Sequence, residues 1–286
     1  KLFYKNISLI IPLSLFCFSS QLIYYSSEAK QYSSDVLFTI LLIFVGLKLQ
    51  NDNLKKKDKY LILLLSILSV FFSITAFFTL FAITAYFLIR YFLLNSRINV
   101  KENILFSLGW ICSFIVYVIY SSRTHLNNTY LHKFWNSGYL SEQNTILKLL
   151  EDNFKYIGLV DFKFDLSIFI IGAICLLVYK KDKGLFLITP IVLLLICSWL
   201  KLYPVSQRLI LFSLPIIFLT IGEFINFISL SKIKLFKVWG YALSLLFIYS
   251  ILLHDVVDLS SIMEKENIKQ CLSYIKNHKR PDDILF

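Results

Sequence analysis

The chain has 286 residues, of which 57% are hydrophobic, 17% aromatic and only 16% charged, and its mean hydropathy is +0.70. Soluble domains carry about 25% charged residues, so this composition argues against a soluble globular protein, and 27 Phe and 17 Tyr exclude a disordered coil. The net charge of +11 is clumped between continuous apolar runs, which is typical of cytoplasmic membrane loops rather than of nucleic-acid binding or an outer-membrane barrel. We therefore expect an all-α, polytopic bundle of transmembrane helices.

Eight apolar runs follow one another along the chain. They are Ile7–Tyr24, Val36–Leu47, Leu61–Leu94, Ile104–Tyr120, Leu166–Tyr179, Gly184–Leu200, Leu209–Phe227 and Val238–Leu253. A membrane helix needs about 20 apolar residues, and we interpret the first run as a retained span rather than a cleaved signal peptide. The third run has 34 residues and would be about 51 Å long as one helix. We predict that it breaks near Phe72 and Ser73 into a hairpin, which gives about nine membrane segments.

The basic residues between the runs predict the topology. With the hairpin in place, four basic clusters fall on one side of the membrane, and the positive-inside rule makes that side cytoplasmic. The clusters are Lys48–Lys59, Arg90–Lys101, Lys180–Lys183 and Lys232–Lys237. Segments 25–35, 121–165, 201–208 and 254–286 then lie on the opposite, extracytoplasmic face. We expect a multi-pass protein of a bacterial plasma (inner) membrane with its C-terminus outside.

The tail differs in character from the spans. We predict a transmembrane domain over residues 1–258 and the beginning of a small outside domain over residues 259–286. The near-helical spacing of Ile262, Ile268, Leu272 and Ile275 predicts an amphipathic helix, and residues 284–286 are interpreted as the start of a buried strand after a turn. Because the sequence opens with Lys1 and stops within this strand, we expect it to be a fragment. Residues 145–160 form another amphipathic run, suited to the membrane surface.

The first outside loop gathers ionisable residues at the membrane boundary. It carries Glu28, Lys30 and Tyr32 and ends at Asp35. Acids and cations held there can bind a charged headgroup or a sugar. The alternative is a solvated hairpin tip, whose ion pair would contribute less than about 1 kcal/mol.

A second candidate is the short connection 201–208, which contains Tyr203 and ends at Arg208. Basic residues are uncommon on this face, and a guanidinium there can clamp a phosphate with two parallel hydrogen bonds. The alternative is a snorkelling residue at the interface. In the long segment 121–165, Trp135 and Tyr139 can stack on a sugar, although interface anchoring is the favoured interpretation.

Metal and nucleophile chemistry finds no support in the sequence. His125 and His132 lack zinc-ligand spacing, and the five cysteines are interpreted as small core residues because four lie in apolar runs and none forms a CxxC. We therefore expect neither a metal nor another cofactor. Ser73, at the predicted helix break, is interpreted as structural, because its hydroxyl can satisfy freed backbone groups.

Five stretches resemble the polytopic glycosyltransferases of the GT-C class, and in particular the family 39-like group of protein mannosyltransferases and aminoarabinose transferases. They are YYSSEAKQYSSDVLFTIL, FFSITAFFTLFAITAYFL, HKFWNSGYLS, YPVSQRLILFSLPIIFL and ENIKQCLSYIKNHKRPDDILF. No single motif is stringent, but they follow the order and spacing of the group across most of the chain.

The resemblance implies transfer of a sugar from a polyprenyl-phosphate donor to a lipid, glycan or protein acceptor on the extracytoplasmic face. Lys30 and Arg208 would hold the donor phosphate, with Tyr32, Tyr203 and Trp135 in the substrate site. The family's catalytic carboxylate lies in its first outside loop. Residues 1–24 contain no Asp or Glu, so either Glu28 serves as this carboxylate or, as we favour, the base lies upstream of the fragment.

Two other classes of membrane protein stay open at this point. An O-antigen polymerase or ligase would also carry a large outside loop with Arg and His. A transporter or flippase would show Gly/Pro-broken helices and mid-membrane charges, and Glu223, near the inner end of its span, is almost the only such charge.

Overall fold

The computed structural model describes residues 10–26, 30–49, 55–94, 100–121, 129–141, 144–260 and 268–278. Within these ranges the secondary structure is entirely helical, which confirms the all-α prediction there. The α-helices are α1 Ile10–Cys17, α2 Ser20–Ser26, α3 Tyr32–Leu49, α4 Lys56–Phe72, α5 Ala76–Leu94, α6 Val100–Ser121, α7 Thr129–Phe134, α8 Ile146–Ile157, α9 Phe162–Tyr179, α10 Lys181–Trp199, α11 Leu214–Ser229, α12 Lys234–Ser260 and α13 Ile268–His278. Two 3₁₀ helices cover Asn136–Gly138 and Gln207–Ser213.

Five stretches in the described part are long and apolar enough to cross a membrane, which is compatible with an integral membrane protein. They are Tyr32–Leu49, Asn103–Tyr120, Phe162–Tyr179, Lys181–Trp199 and Gln207–Ser229. The described residues therefore hold five candidate spans, fewer than the nine segments expected. The first predicted span is divided between α1 and α2, of 8 and 7 residues, and the 61–94 run is divided into two helices whose apolar parts are short.

The break in the long apolar run is confirmed at the predicted place. Helix α4 ends at Phe72, Ser73 takes an extended conformation, and α5 begins at Ala76. Helix α3 shows that the chain reverses here, because its start lies beside Ser73 and Gly46 near its end lies beside Ile83. Helices α3 and α5 therefore run parallel, and α4 is antiparallel to both.

The second half of the bundle is organised around α11, whose span is 83% buried. Helix α9 packs directly on it at Gly172, where an added Cβ would lie 2.6 Å from the Thr220 carbonyl oxygen. Only glycine allows the two backbones to approach this closely. Helix α10 runs back between α9 and α5, and the tight contact between α9 and α11 fixes where the chain preceding α11 lies.

The segments that carry Lys48, Arg90 and Lys180, from three of the basic clusters, come together toward one end of the bundle, which we call the lysine end. Near this end Phe186 of α10 packs against Gly46 of α3 and Tyr86 of α5, which brings together the segments that carry Lys48 and Arg90. Lys180 joins them through an ion pair with α11. The opposite end contains the start of α3, the α4–α5 break and the 3₁₀ helix before α11, and we call it the arginine end after Arg208.

The C-terminal prediction is tested only in part. The amphipathic helix forms as α13, Ile268–His278, and the amphipathic run 145–160 forms α8, which ends at Gly158 in the left-handed region with φ of 62°. The turn and strand expected at residues 280–286 lie outside the described residues. The boundary between residues 258 and 259 remains a prediction.

Candidate functional site

The site centres on Arg208, which lies at the start of the 3₁₀ helix Gln207–Ser213. Its guanidinium carbon lies 5.8 Å from the centre of the Tyr32 ring and 5.5 Å from the centre of the Trp135 ring. Both rings are within the range of cation–π attraction. Among the described residues, no carboxylate forms an ion pair with Arg208. The rings therefore hold the guanidinium while leaving its donors available to an anion.

The loop before Arg208 is held by Tyr203. Its hydroxyl donates a 2.9 Å hydrogen bond to the Leu209 carbonyl oxygen, and its ring packs edge-on against Phe78, with centroids 5.2 Å apart. Burial raises the pKa of Tyr203, and the nearby Asp35 and Tyr32 raise it further. Tyr203 therefore stays a neutral donor that closes the loop around Leu209.

Trp135 reaches Arg208 because two loops are joined by hydrogen bonds. The Val205 amide donates to the Gly138 carbonyl oxygen at 2.7 Å, and the buried Ser198 hydroxyl donates to the same oxygen at 3.2 Å. The Leu140 amide donates to the Ser198 hydroxyl oxygen at 3.0 Å. We call this set of bonds the loop clamp. It fixes the segment that carries Trp135 against the loop that leads to Arg208.

Asp35 is a buried carboxylate that the sequence analysis placed in a loop but did not select. It lies in the first turn of α3 and is only 5% exposed. The Ser73 hydroxyl donates to its Oδ1 at 2.6 Å, and the Ser73 and Thr75 hydroxyls are 3.0 Å apart. A lone acid at the beginning of an apolar span was the available signal for Asp35. Ser73 is therefore more than a backbone cap, because it anchors Asp35 to the helix break.

Two further tyrosines, Tyr25 and Tyr156, extend the aromatic surroundings of Arg208. The Tyr25 ring packs edge-on against Tyr32, with centroids 5.1 Å apart. The Tyr156 hydroxyl is buried. Burial raises the pKa of Tyr156 and the neighbouring Tyr25 adds to the rise, while the positive charge of Arg208 opposes it. Neither residue was selected from the sequence, because tyrosines are abundant throughout the chain.

An apolar groove of about 440 Å³ begins at these tyrosines and follows α3. Tyr25 and Tyr32 form its polar end. The apolar wall comes from helices α1, α2 and α3 and the segment before α11; its members include Phe16, Leu22, Val36, Ile40 and Leu211. The groove therefore connects the ring that contacts Arg208 to an exposed apolar surface of α3, which includes Leu37 and Ile40.

The structure brings together Tyr32, Tyr203, Trp135 and Arg208 out of the predicted site residues. The Lys30 side chain is exposed, and Lys30 is two residues from Tyr32, so their Cα atoms are at most about 7 Å apart. Glu28 lies outside the described residues. Whether these residues bind substrate stays a prediction. Among the described residues, no group of three or more His, Cys, Asp or Glu side chains is placed to hold a metal.

Comparison with known proteins gives one family match. Residues 2–100 match the family described as the N-terminal domain of the protein O-mannosyl-transferase TMEM260. The match covers the part of the chain with α1–α5, and hence Tyr32, Asp35 and Ser73, but it does not reach Trp135 or Arg208. No curated protein matches the chain. No solved structure matches it. The chain is therefore similar, over about its first third, to part of a membrane glycosyltransferase family.

Proposed function

We propose that the chain is part of a membrane glycosyltransferase of the GT-C type, which transfers a sugar from a polyprenyl-phosphate donor at the arginine end. The observation that carries this proposal is Arg208, held by the Tyr32 and Trp135 rings without a described carboxylate partner. A guanidinium held in this way suits a phosphate, which it can bind with two parallel hydrogen bonds.

The groove along α3 supports a lipid-linked donor rather than a nucleotide sugar. It joins the Tyr32 ring to an apolar channel of about 440 Å³, so a phosphate at Arg208 would lie next to a place for the first units of a prenyl chain. A donor confined to the bilayer must enter its site sideways, and this groove offers such an entry. The matched family is described as O-mannosyltransferase, which suggests mannose as the sugar and a protein as the acceptor.

The chemical roles follow from charge. Transfer breaks the bond between the sugar and the phosphate, so negative charge grows on the departing lipid phosphate, and preorganised cations lower the energy of that charge. Arg208 has this role, assisted by Lys30. The acceptor hydroxyl must lose its proton to a base. Glu28 is the candidate base within this chain. Asp35 has a positioning role, because its hydrogen bond with Ser73 holds the start of α3 against the helix break.

The test is mannose transfer from synthetic polyprenyl-phosphate mannose to an acceptor peptide in nanodiscs, by the purified chain if Glu28 is the base and by the protein extended upstream if the base precedes this chain. Arg208→Ala should lower the transfer rate about 100-fold, as loss of one charge-stabilising donor does elsewhere, while Arg208→Lys should retain part of it. Lys148→Ala is the matched control, because Lys148 is an exposed cation on α8 that hydrogen-bonds only locally to Asn144.

Binding of the sugar-free polyprenyl phosphate supplies a second measurement. It should weaken in Arg208→Ala and stay unchanged in Lys148→Ala. An Arg208→Ala protein that is folded, binds polyprenyl phosphate as well as the parent and transfers mannose at the parent rate would overturn the assignment. If the chain, reconstituted in liposomes, moves the intact lipid-linked sugar across the membrane without transferring the sugar, the flippase class is favoured instead.

A further inference from the structure

A second, larger groove borders the loop clamp, because Leu140 belongs to both. It has a volume of about 910 Å³ and lies between α10 and the segment that leads into α8. Its walls are mainly apolar and are formed by Leu140, Ile146, Val192, Leu195, Ile196 and Trp199. Val192 and Ile196 are 46% and 43% exposed, so the groove opens on the outer surface of the bundle. It shares no lining residue with the groove along α3.

The end of this groove next to Lys201 is basic. Lys201 lines both the groove and an adjoining pocket of about 460 Å³, whose other lining residues are Lys133, Asn136 and Tyr139. Among the described residues, neither lysine forms an ion pair, and no Asp or Glu lines the pocket. Two cations beside an amide and a phenol match an anionic headgroup that also offers hydrogen-bond acceptors.

The backbone holds Lys201 in a conformation that lysine rarely adopts. Its φ is 56°, in the left-handed region, and its amide donates to the Ser198 carbonyl oxygen at 3.0 Å. A residue other than glycine in this region costs about 1–2 kcal/mol. The helix end therefore fixes where the lysine side chain starts, directly above the apolar groove.

The position along α10 indicates a bilayer lipid. Helix α10 is one of the five candidate spans, and at its end Trp199 is 69% exposed. Exposed tryptophan is typical of the headgroup level of a membrane. Lys201 follows two residues later, so in a bilayer we expect its ammonium at the level of the lipid phosphates and the apolar walls of the groove at the level of the acyl chains.

We propose that this groove binds an anionic glycerophospholipid, with one acyl chain along α10 and the phosphate at Lys201 and Lys133. The site is distinct from the proposed donor site, because this groove and the groove along α3 share no lining residue. A bilayer lipid is present at far higher concentration than any donor, so mass action favours it in a groove open to the membrane. The proposal stands on this geometry and does not depend on the transferase function.

Native mass spectrometry of the purified full chain tests the proposal, with phosphatidylglycerol and phosphatidylcholine of identical chains as probes. The parent protein should retain more phosphatidylglycerol than phosphatidylcholine. Because one lysine near a lipid phosphate is typically worth about fivefold in affinity, Lys201→Gln should weaken phosphatidylglycerol binding about fivefold. The double variant Lys133→Gln/Lys201→Gln should weaken it about 25-fold, and phosphatidylcholine binding should not change.

A groove variant and two controls complete the design. Val192→Trp fills the apolar wall without removing charge, and it should reduce binding of both lipids even if the lysine variants fail to fold. Lys148→Gln, outside the groove, and Arg208→Ala, in the other site, should both bind phosphatidylglycerol like the parent. Equal retention of the two lipids, or parent-like binding by the double variant, would overturn the proposal. Displacement of phosphatidylglycerol by polyprenyl phosphate at equal concentration would also overturn it, by assigning the groove to the donor.

Discussion

The two ends of the helix bundle hold their cations in opposite ways. At the lysine end, Lys180 forms an ion pair with Glu223, whose side chain is only 6% exposed, and the Asn226 amide donates to the same carboxylate at 3.4 Å. At the arginine end, Arg208 has aromatic faces around it and no described carboxylate partner. The Lys180 charge is neutralised within the protein, whereas the Arg208 charge is positioned by aromatic rings and is not neutralised by any described residue.

This contrast separates a structural charge from a binding charge. A paired ion inside a bundle mainly fixes which helices meet, and removing one partner leaves an uncompensated buried charge. An aromatic-held guanidinium contributes little to folding, because cation–π contacts are worth about 0.5–1 kcal/mol at exposed sites. Substitutions at the two ends should therefore differ in which measurement they change: stability at the lysine end, ligand binding at the arginine end.

The largest effect on stability is expected for Lys180→Met. It leaves Glu223 buried without its partner and should lower the free energy of unfolding by about 3 kcal/mol, at the low end for buried pairs because Lys180 is 34% exposed. Denaturant unfolding in detergent measures it. The double variant Lys180→Met/Glu223→Leu is the control and should regain most of the loss. If the single variant is as stable as the parent, the ion pair is not structural.

A smaller loss is expected for Ser73→Ala, at the helix break. It removes the 2.6 Å hydrogen bond to buried Asp35, and the loss of one of the hydroxyl donors to a buried carboxylate should lower the free energy of unfolding by about 2 kcal/mol. Ser66→Ala in the middle of α4 is the matched control, because the Ser66 hydroxyl bonds only to the Leu63 carbonyl oxygen. Equal losses in the two variants would remove the special role of Asp35.

Arg208→Met should change stability by about 1 kcal/mol or less, because it removes only the contacts with the Tyr32 and Trp135 rings. The same variant should lose binding of polyprenyl phosphate, measured by titration in nanodiscs. A stability loss as large as that of Lys180→Met would erase the difference between the two ends, since it would show that Arg208 is also structural.

The smallest effect is expected for Trp135→Phe. Phenylalanine keeps a ring over the guanidinium but is a weaker cation–π partner than tryptophan, so stability should change by less than about 0.5 kcal/mol. Affinity for polyprenyl phosphate should fall about twofold in Trp135→Phe and by more in Trp135→Ala. Identical affinities for the parent, Phe and Ala proteins would show that Trp135 does not position Arg208.

Much of the fold was predictable because membrane helices are specified by local composition. The five runs that form spans are continuous apolar stretches, and the break at Ser73 follows from the length of the 61–94 run and the charge pattern around it. Fewer than nine candidate spans are found in the described residues because apolar composition does not set helix length. In the first run, for example, residues 18 and 19 separate α1 from α2, next to the polar residues Ser19, Ser20 and Gln21.

The sequence was enough to select several of the site residues, but not to predict which of them contact one another. Three residues stood out by type and position: Tyr32, Trp135 and Arg208. The segments that carry them are 73 or more residues apart in the sequence, so their contact depends on how α3, α9 and α11 pack. Asp35 was missed as a site residue because its importance comes from Ser73, 38 residues further on. Glu223 looked like a mid-membrane charge and is instead neutralised by Lys180, a pairing that no local pattern encodes.

The loop clamp has a mechanical consequence. Because Gly138 is bonded to both Val205 and Ser198, the Trp135 segment and the end of α10 must move as one piece. Val205, three residues before Arg208, is tied to the same piece. The indole and the guanidinium are therefore carried together, and their contact lasts only as long as these few hydrogen bonds between the two segments.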